Sequence, residues 1–197
     1  FVGDRVAFVV AETLAQARDA AELVEVDYET LPTIVDLEEA AKDGAPKVWE
    51  DCPQGNVGFR LMFGNQDATD AAFAKAKHVV KLRVENNRLS PVTMEPRVAI
   101  GEYNAAGDQY TLYATSQNPH GARMEMSHIF HIAENQIRVV SPDVGGGFGL
   151  KAVFPDDALV LWAARRIGRP VKWVSTRSES MLTDHHGREM VYYGELA

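Results

Sequence analysis

The chain has a single cysteine, Cys52, among its 197 residues. That scarcity excludes an internal disulfide framework and a cysteine-based metal site. One thiol in an acidic chain suits a reducing cytoplasm, and Cys52-Pro53, within a linker-like stretch, reads as a surface or half-buried thiol. No apolar run approaches the length of a membrane span, and no charged-then-apolar leader is present. There is no basic tract, and the formal net charge is −8, which argues against a nucleic-acid surface. Two catalytic signatures are also missing. No Gly-x-Ser-x-Gly supports a hydrolase elbow, and no His-Glu-x-x-His supports a zinc site. His128 and His131 share a face of an expected helix, but zinc needs three or four ligands. They read as ordinary polar-face or buried histidines. The segment His185-His186 beside Asp184 and Arg188 reads as a polar loop.

What is present describes a soluble globular protein. Apolar residues make up 46% and charged residues 24%, enough for a sizeable core. Phe1 begins abruptly, without methionine and just before a strand-like run, so the chain reads as a piece of a longer protein. Arg5 to Ala11 is β-branched and apolar and predicts a buried strand. Thr13 with Gln16 predicts a capping box opening a helix, and Val24 to Tyr28 predicts a second strand. Asp36 to Ala41 reads as a short helical turn. From Lys42 to Gln66, prolines and glycines punctuate a stretch without period, which we read as a linker. Asp67 is expected to cap a helix over Ala68–Lys77, and His78 to Glu85 reads as a strand.

Val98 to Tyr103 and Tyr110 to Ser116 predict a hairpin turning through Ala105-Ala106-Gly107-Asp108. Asn118 then caps a helix with Pro119 at its first position. Ala122, Met126, Ile129, Phe130 and Ala133 lie on one face of that helix, which ends at Asn135-Gln136. Ile137 to Ser141 is the next strand. Pro155 to Gly168 is a helix with acids in its first turn, arginines in its last and glycine at its C-cap. Val171 to Ser175 is the final strand. The order implies an α+β fold of mixed α/β layers.

Between Ser141 and Pro155 lies Pro142-Asp143-Val144-Gly145-Gly146-Gly147-Phe148-Gly149-Leu150-Lys151. Such a glycine cluster is unfavourable unless the backbone must bend or be approached closely. A glycine loop between strand and helix exposes N–H groups where an anionic ligand is favoured. The nucleotide motifs fail, however. A dinucleotide fingerprint needs glycine where Leu150 stands, and a P-loop needs Ser or Thr after lysine, where Ala152 stands. A tight buried strand-to-helix turn remains the alternative.

The string Val-Gly-Gly-Gly-Phe-Gly-x-Lys resembles the molybdopterin loop of the molybdenum hydroxylase large subunits. That family comprises xanthine dehydrogenase, aldehyde oxidase and the aerobic carbon monoxide dehydrogenases. Gly3–Thr13 followed by Val24–Pro32 resembles the end of the family's hammerhead domain. Met94-Glu95-Pro96-Arg97 resembles the entry to its cofactor domain. Thr115-Ser116-Gln117-Asn118-Pro119-His120 is similar to the segment carrying its cofactor-contacting glutamine. The resemblance covers nearly the whole chain. It implies the C-terminal part of a hammerhead domain at 1–41, a linker at 42–66, and the N-terminal part of a molybdenum cofactor-binding domain at 67–197.

The resemblance also implies a function: oxidative hydroxylation with water-derived oxygen at molybdenum held by a pterin dithiolene, in plain or cytosine dinucleotide form. Cofactor contacts are implied at Gln117, Gly146, Gly147, Phe148 and Gly149, with Phe148 near a substrate channel. The family's general-base glutamate and its copper-loop cysteine would lie past Ala197, so no catalytic residue and no direct metal ligand is expected within these residues. They are expected to be inactive alone. Iron–sulfur and FAD partner subunits are implied, as is a dimer of heterotrimers in the cytoplasm. Ala152 departs from the glutamate of the xanthine and aldehyde enzymes, which points to the carbon monoxide dehydrogenase-like branch and away from a purine.

From the residues themselves, alternatives stay open. Gln117 is a capping or turn residue or an amide donor. Phe148 is a core aromatic fixing the turn or a wall of the site. Glu95 and Arg97 are a charge pair near the site or a structural one. A phosphate-holding binding module and a structural or assembly domain are the rival functions.

Overall fold

Thr13 and Gln16 form the expected reciprocal cap, Gln16 N donating to Thr13 Oγ1 at 3.2 Å and Thr13 N to Gln16 Oε1 at 3.1 Å. It opens α1, Leu14–Ala21. The computed structural model describes residues 1–197. These group into two units, one of residues 1–26 and 90–186, the other of 27–89 and 187–197.

The first unit is built on β2, Val98–Asn104, β3, Gln109–Ala114, β4, Ile137–Val140, and β5, Val171–Val174, in spatial order β4-β3-β2-β5. β3 lies antiparallel to β2 and parallel to β4, and β5 lies antiparallel to β2. The hairpin register pairs Ala99 with Ala114 and Asn104 with Gln109. It therefore brings the segments before β2 and after β3 to the same end of the sheet. At the other end the turn is made by residues 105–108, with Asp108 in the left-handed region.

Two longer helices accompany this sheet: α4, Pro119–Phe130, and α5, Pro155–Ile167. Asn118 caps α4 by accepting from Gly121 N at 2.9 Å. α5 ends at Gly168, whose positive φ supplies the left-handed C-cap. Ala99, Tyr110, Leu112, Met126, Ile137, Val160, Leu161 and Val171 form the shared core. Gly101 decides how close α5 comes, since a Cβ there would lie 2.5 Å from the Val160 carbonyl carbon and oxygen. Tyr110 is fully buried and accepts a hydrogen bond from Arg165 Nη1 at 2.7 Å, which satisfies its hydroxyl.

Several sequence expectations are corrected. Arg5–Ala11 and Val24–Tyr28 form no strands and join neither sheet. Val6 and Val10 are exposed, while Phe8 packs against the core. α4 stops at Phe130, with His131 left-handed beyond it and a separate 3₁₀ turn at Glu134–Gln136. Ile129, expected on the buried face, is exposed. A further helix, α6 at Arg177–Thr183, follows β5 and is capped reciprocally by Thr176 and Glu179. That Thr-x-x-Glu spacing is a capping-box signal within the sequence.

The second unit holds α2, Leu37–Ala40, α3, Gln66–Phe73, β1, Val80–Asn86, and β6, Met190–Leu196. The α3 cap is Asn65, which accepts from Ala68 N at 3.0 Å, and not Asp67, which lies in the first turn. β1 and β6 pair antiparallel from Val80↔Leu196 to Asn86↔Met190. Arg83 bridges to Glu38, which also accepts from Tyr193 Oη. Between α2 and α3, Asn56 binds the carbonyls of Ala40 and Pro46 and the N–H of Val48. Cys52 is half-buried and free. No helix is long and apolar enough to cross a membrane.

Candidate functional site

The glycine loop leaves the end of β4 and reaches α5 only at Pro155, so the glycines do not sit on the helix N-terminus as the sequence suggested. That terminus is already served. Asp157 Oδ2 accepts from Phe154 N at 3.0 Å, and Asp156 binds two arginines. Arg5 grips Asp156 through Nε at 2.9 Å and Nη2 at 2.5 Å. Arg97 donates to Asp156 at 2.6 Å, to Asp184 at 2.6 Å and to Thr183 Oγ1 at 2.7 Å. Its guanidinium also lies 3.7 Å from the Phe154 ring centroid. Burial raises the Asp156 carboxyl, and the bonds from Arg5 and Arg97 outweigh it, so the net shift is downward. Asp157, buried with only one hydrogen bond, is pushed up to about 6.

Glu95 and Arg97 therefore do not pair with each other. Glu95 turns instead to the loop. Its Oε2 accepts from Gly145 N at 2.6 Å and from Lys151 Nζ at 2.7 Å. The bond from Lys151 holds the Glu95 carboxyl below its usual range. Lys151 is fully buried.

Gln117, one residue before the α4 cap, holds the other side of the loop. Its Oε1 accepts from Gly149 N at 3.1 Å and Lys151 N at 3.2 Å. Both partners are N–H donors, so the amide orientation is determined: oxygen toward the loop, Nε2 away from it. Nε2 makes no hydrogen bond in the chain, and Gln117 is exposed. Gly147 is packed against this side chain so closely that a Cβ would overlap Gln117 Cδ.

Gly146, Phe148 and Gly149 all have positive φ, 92°, 52° and 86°. For the glycines this is ordinary, but for a phenylalanine it is a strained conformation. Phe148 is 77% exposed, which overturns its reading as a core aromatic. Within the loop, Gly146 N donates to Val144 O and Leu150 N to Gly147 O, each at 2.9 Å. The N–H groups of Gly147 and Phe148 have no partner in the chain. Two adjacent backbone donors are thus unspent in the turn that packs against the Gln117 side chain. Unspent donors of this kind suit an anionic, oxygen- or sulfur-rich group. Of the five expected contact residues, Gln117, Gly147 and Phe148 have donors to give. Gly146 and Gly149 shape the turn.

Ala152 is exposed just beyond buried Lys151 and offers no polar side-chain atom. No group of three His, Cys, Asp or Glu side chains is placed to hold a metal. A groove of about 850 Å³ lies elsewhere in the same unit, lined by Ile129, Val153, Phe154, Ala158, Leu159 and Trp162. It contains none of the loop glycines.

Residues 48–197 match the molybdopterin cofactor-binding domain family, and residues 1–32 match the aldehyde oxidase and xanthine dehydrogenase a/b hammerhead domain family. The gamma subunit of the 6-hydroxypseudooxynicotine dehydrogenase complex of Paenarthrobacter nicotinovorans is 38% identical over all of this chain and 24% of its own length. The carbon monoxide dehydrogenase large chain of Afipia carboxidovorans is 37% identical over all of this chain and 26% of its own. Quinoline 2-oxidoreductase from Pseudomonas putida 86 superposes with a TM-score of 0.86 at 34% identity, over 95% of this chain and 24% of that one. The chain thus spans about a quarter of the length of the relatives it matches.

Proposed function

Because the chain belongs to the molybdenum hydroxylase large-subunit family, we propose that its glycine loop and Gln117 hold one side of a molybdenum–pterin cofactor in a larger oxidoreductase. The observation that carries this reading is the set of donors at Gly147 N, Phe148 N and Gln117 Nε2 that no group in the chain uses. When bound, the cofactor supplies redox chemistry for oxidative hydroxylation with water-derived oxygen. Gln117 Nε2 donates to an oxygen acceptor on it. The two backbone N–H groups donate to its anionic edge, where charge-assisted bonds are strong. Phe148, held outward, forms part of the apolar wall that excludes water.

No general base lies among these site residues, so proton removal is assigned to residues elsewhere in the full-length protein. Cofactor in the cytosine dinucleotide form and electron exit through iron–sulfur and FAD subunits, within a dimer of heterotrimers, complete the proposal. The first relative's name, as a subunit of a complex, supports such an assembly. The lone free thiol agrees with a cytoplasmic setting. Ala152 supports a small substrate other than a purine held by a carboxylate. The relatives are named for carbon monoxide, a hydroxylated nicotine derivative and quinoline.

The test is molybdenum and pterin content of the full-length protein, expressed with its partner subunits under molybdenum-replete conditions. Stoichiometric metal and pterin are expected, with a loss of at least about tenfold in Gln117→Ala. A wild-type protein that never contains molybdenum overturns the reading, and nucleotide retained without metal supports a phosphate-binding module in its place.

A further inference from the structure

The loop is held by two side-chain oxygen atoms, each of which accepts from two of its groups. Gln117 Oε1 binds Gly149 N and Lys151 N. Glu95 Oε2 binds Gly145 N and Lys151 Nζ. The two residues come from the segment after β3 and the segment before β2. The hairpin register brings those segments to one end of the sheet. Glu95 thus fastens the first glycine of the cluster and also, through Lys151, the end of it.

Glu95 is itself firmly seated. Its N donates to Gly145 O at 3.3 Å, and its O accepts from Thr93 Oγ1 at 2.7 Å. Arg177, the first residue of α6, donates to the carbonyls of Thr93 at 2.7 Å and Met94 at 2.9 Å. A carboxylate on such a strap is a fixed point and not a floppy surface acid. Lys151 makes the contact obligatory. Its side chain is fully buried, its ammonium has three protons to place, and Glu95 is its ion partner. A buried ammonium without a carboxylate partner is strongly disfavoured. Gly145 must be glycine for this arrangement, because a Cβ would overlap Glu95 Cβ.

We propose that Glu95 and Lys151 are positioning residues that hold the glycine loop in its donor-presenting conformation before the cofactor arrives. The proposal rests on the cofactor-binding reading of the loop. Neither residue touches the cofactor in it. They act through the backbone of Gly145 to Lys151, keeping Gly147 N and Phe148 N free of partners within the chain. A preset loop binds its group without first losing the entropy of ordering.

The experiment uses the full-length protein with its partner subunits, as Glu95→Gln, Lys151→Met and the double variant. Two quantities are read: molybdenum and pterin content as isolated, and deuterium uptake of the cofactor-free protein by mass spectrometry. Glu95→Gln keeps an acceptor for Gly145 N but strands the buried ammonium. It is expected to raise uptake across residues 142–151, leave α5 unchanged and lower cofactor content by about tenfold. The double variant removes the stranded charge but also lacks the tie between the two residues, so it is expected to stay low in content and raised in uptake across residues 142–151, and wild-type values in it overturn the proposal. Wild-type content and uptake in Glu95→Gln overturn the proposal. So does uptake raised equally through α5 and the core, which marks a merely structural pair. If the wild-type protein carries no molybdenum, the cofactor reading fails, and the uptake of 142–151 against α5 still decides whether the clamp exists.

Discussion

Gln117 and Lys151 are tied twice, Gln117 N donating to Lys151 O at 3.0 Å and Lys151 N to Gln117 Oε1 at 3.2 Å. The backbone after β3 is therefore joined directly to the far end of the glycine loop. That tie spends the oxygen of the Gln117 amide and leaves its two N–H protons for a ligand. One side chain thus both shapes the loop and completes the donor set.

Gly147→Ala tests the closeness of this packing. The added methyl overlaps Gln117 Cδ and Cγ, so the glutamine must leave its seat. Overpacking of this kind costs about 1–3 kcal/mol, small beside a whole domain. We expect the full-length protein to fold and to lose cofactor, read as metal content together with an unchanged far-ultraviolet dichroism spectrum. Full cofactor content in this variant contradicts the packing described.

Arg97→Met tests the buried arginine. Its guanidinium donates to Asp156, Asp184 and Thr183 and lies over the Phe154 ring. Removing it strands the buried Asp184 carboxylate and leaves Asp156 to Arg5 alone, at a cost of about 3–5 kcal/mol. The apparent thermal midpoint of the full-length subunit should fall. Arg97→Lys should recover little, because an ammonium cannot reproduce the planar fork.

Asp157→Asn tests the raised carboxyl. Its folded pKa of about 6 stands above the ordinary aspartate value of about 3.9. The folded protein therefore binds more protons than the unfolded chain between those values. This group's contribution falls as pH rises from about 4 to about 6 and stays unfavourable above that. Asparagine keeps an acceptor for Phe154 N and has no charge to bury. The variant should gain stability relative to wild type at pH 7 and lose that advantage by about pH 4. Equal midpoint differences at both pH values would sink the assignment. Asp156 and Glu95 shift the opposite way, so only the difference between the two proteins isolates Asp157.

Gly101→Ala tests the approach of α5 to β2. Its methyl would meet the Val160 backbone, which cannot rotate aside. A loss of about 1–3 kcal/mol is expected, seen as a lower denaturant midpoint, whereas Gly149→Ala meets open space and is strained only by its positive φ.

Much of this protein is written locally. The capping box at Thr13, the Asn118-Pro119 start of α4 and the acids, arginines and Gly168 of α5 stand where side-chain and backbone chemistry put them. The β2–β3 hairpin and the four-glycine turn are equally local, and so is the family resemblance that the matches bear out. These features depend on neighbours within about one helical turn or one tight turn, so a linear reading reaches them.

The rest depends on partners far away in the chain. Arg5–Ala11 has the composition of a strand and no ladder to join, so what anchors it is Arg5 on Asp156, 151 residues on. β6 pairs with β1 across more than a hundred residues, and nothing local states that register. That Glu95 pairs with Lys151 and not with Arg97, and that Phe148 stands exposed, are likewise long-range outcomes. Sequence alone establishes that a glycine turn follows a short strand and that a glutamine precedes a capped helix. Only the tertiary structure decides which donors that turn spends and which it keeps. Glu95 and Gln117 reach the loop because the hairpin brings their segments to one end of the sheet, and a hydrogen bond forms between atoms that meet in space, however far apart they lie along the chain.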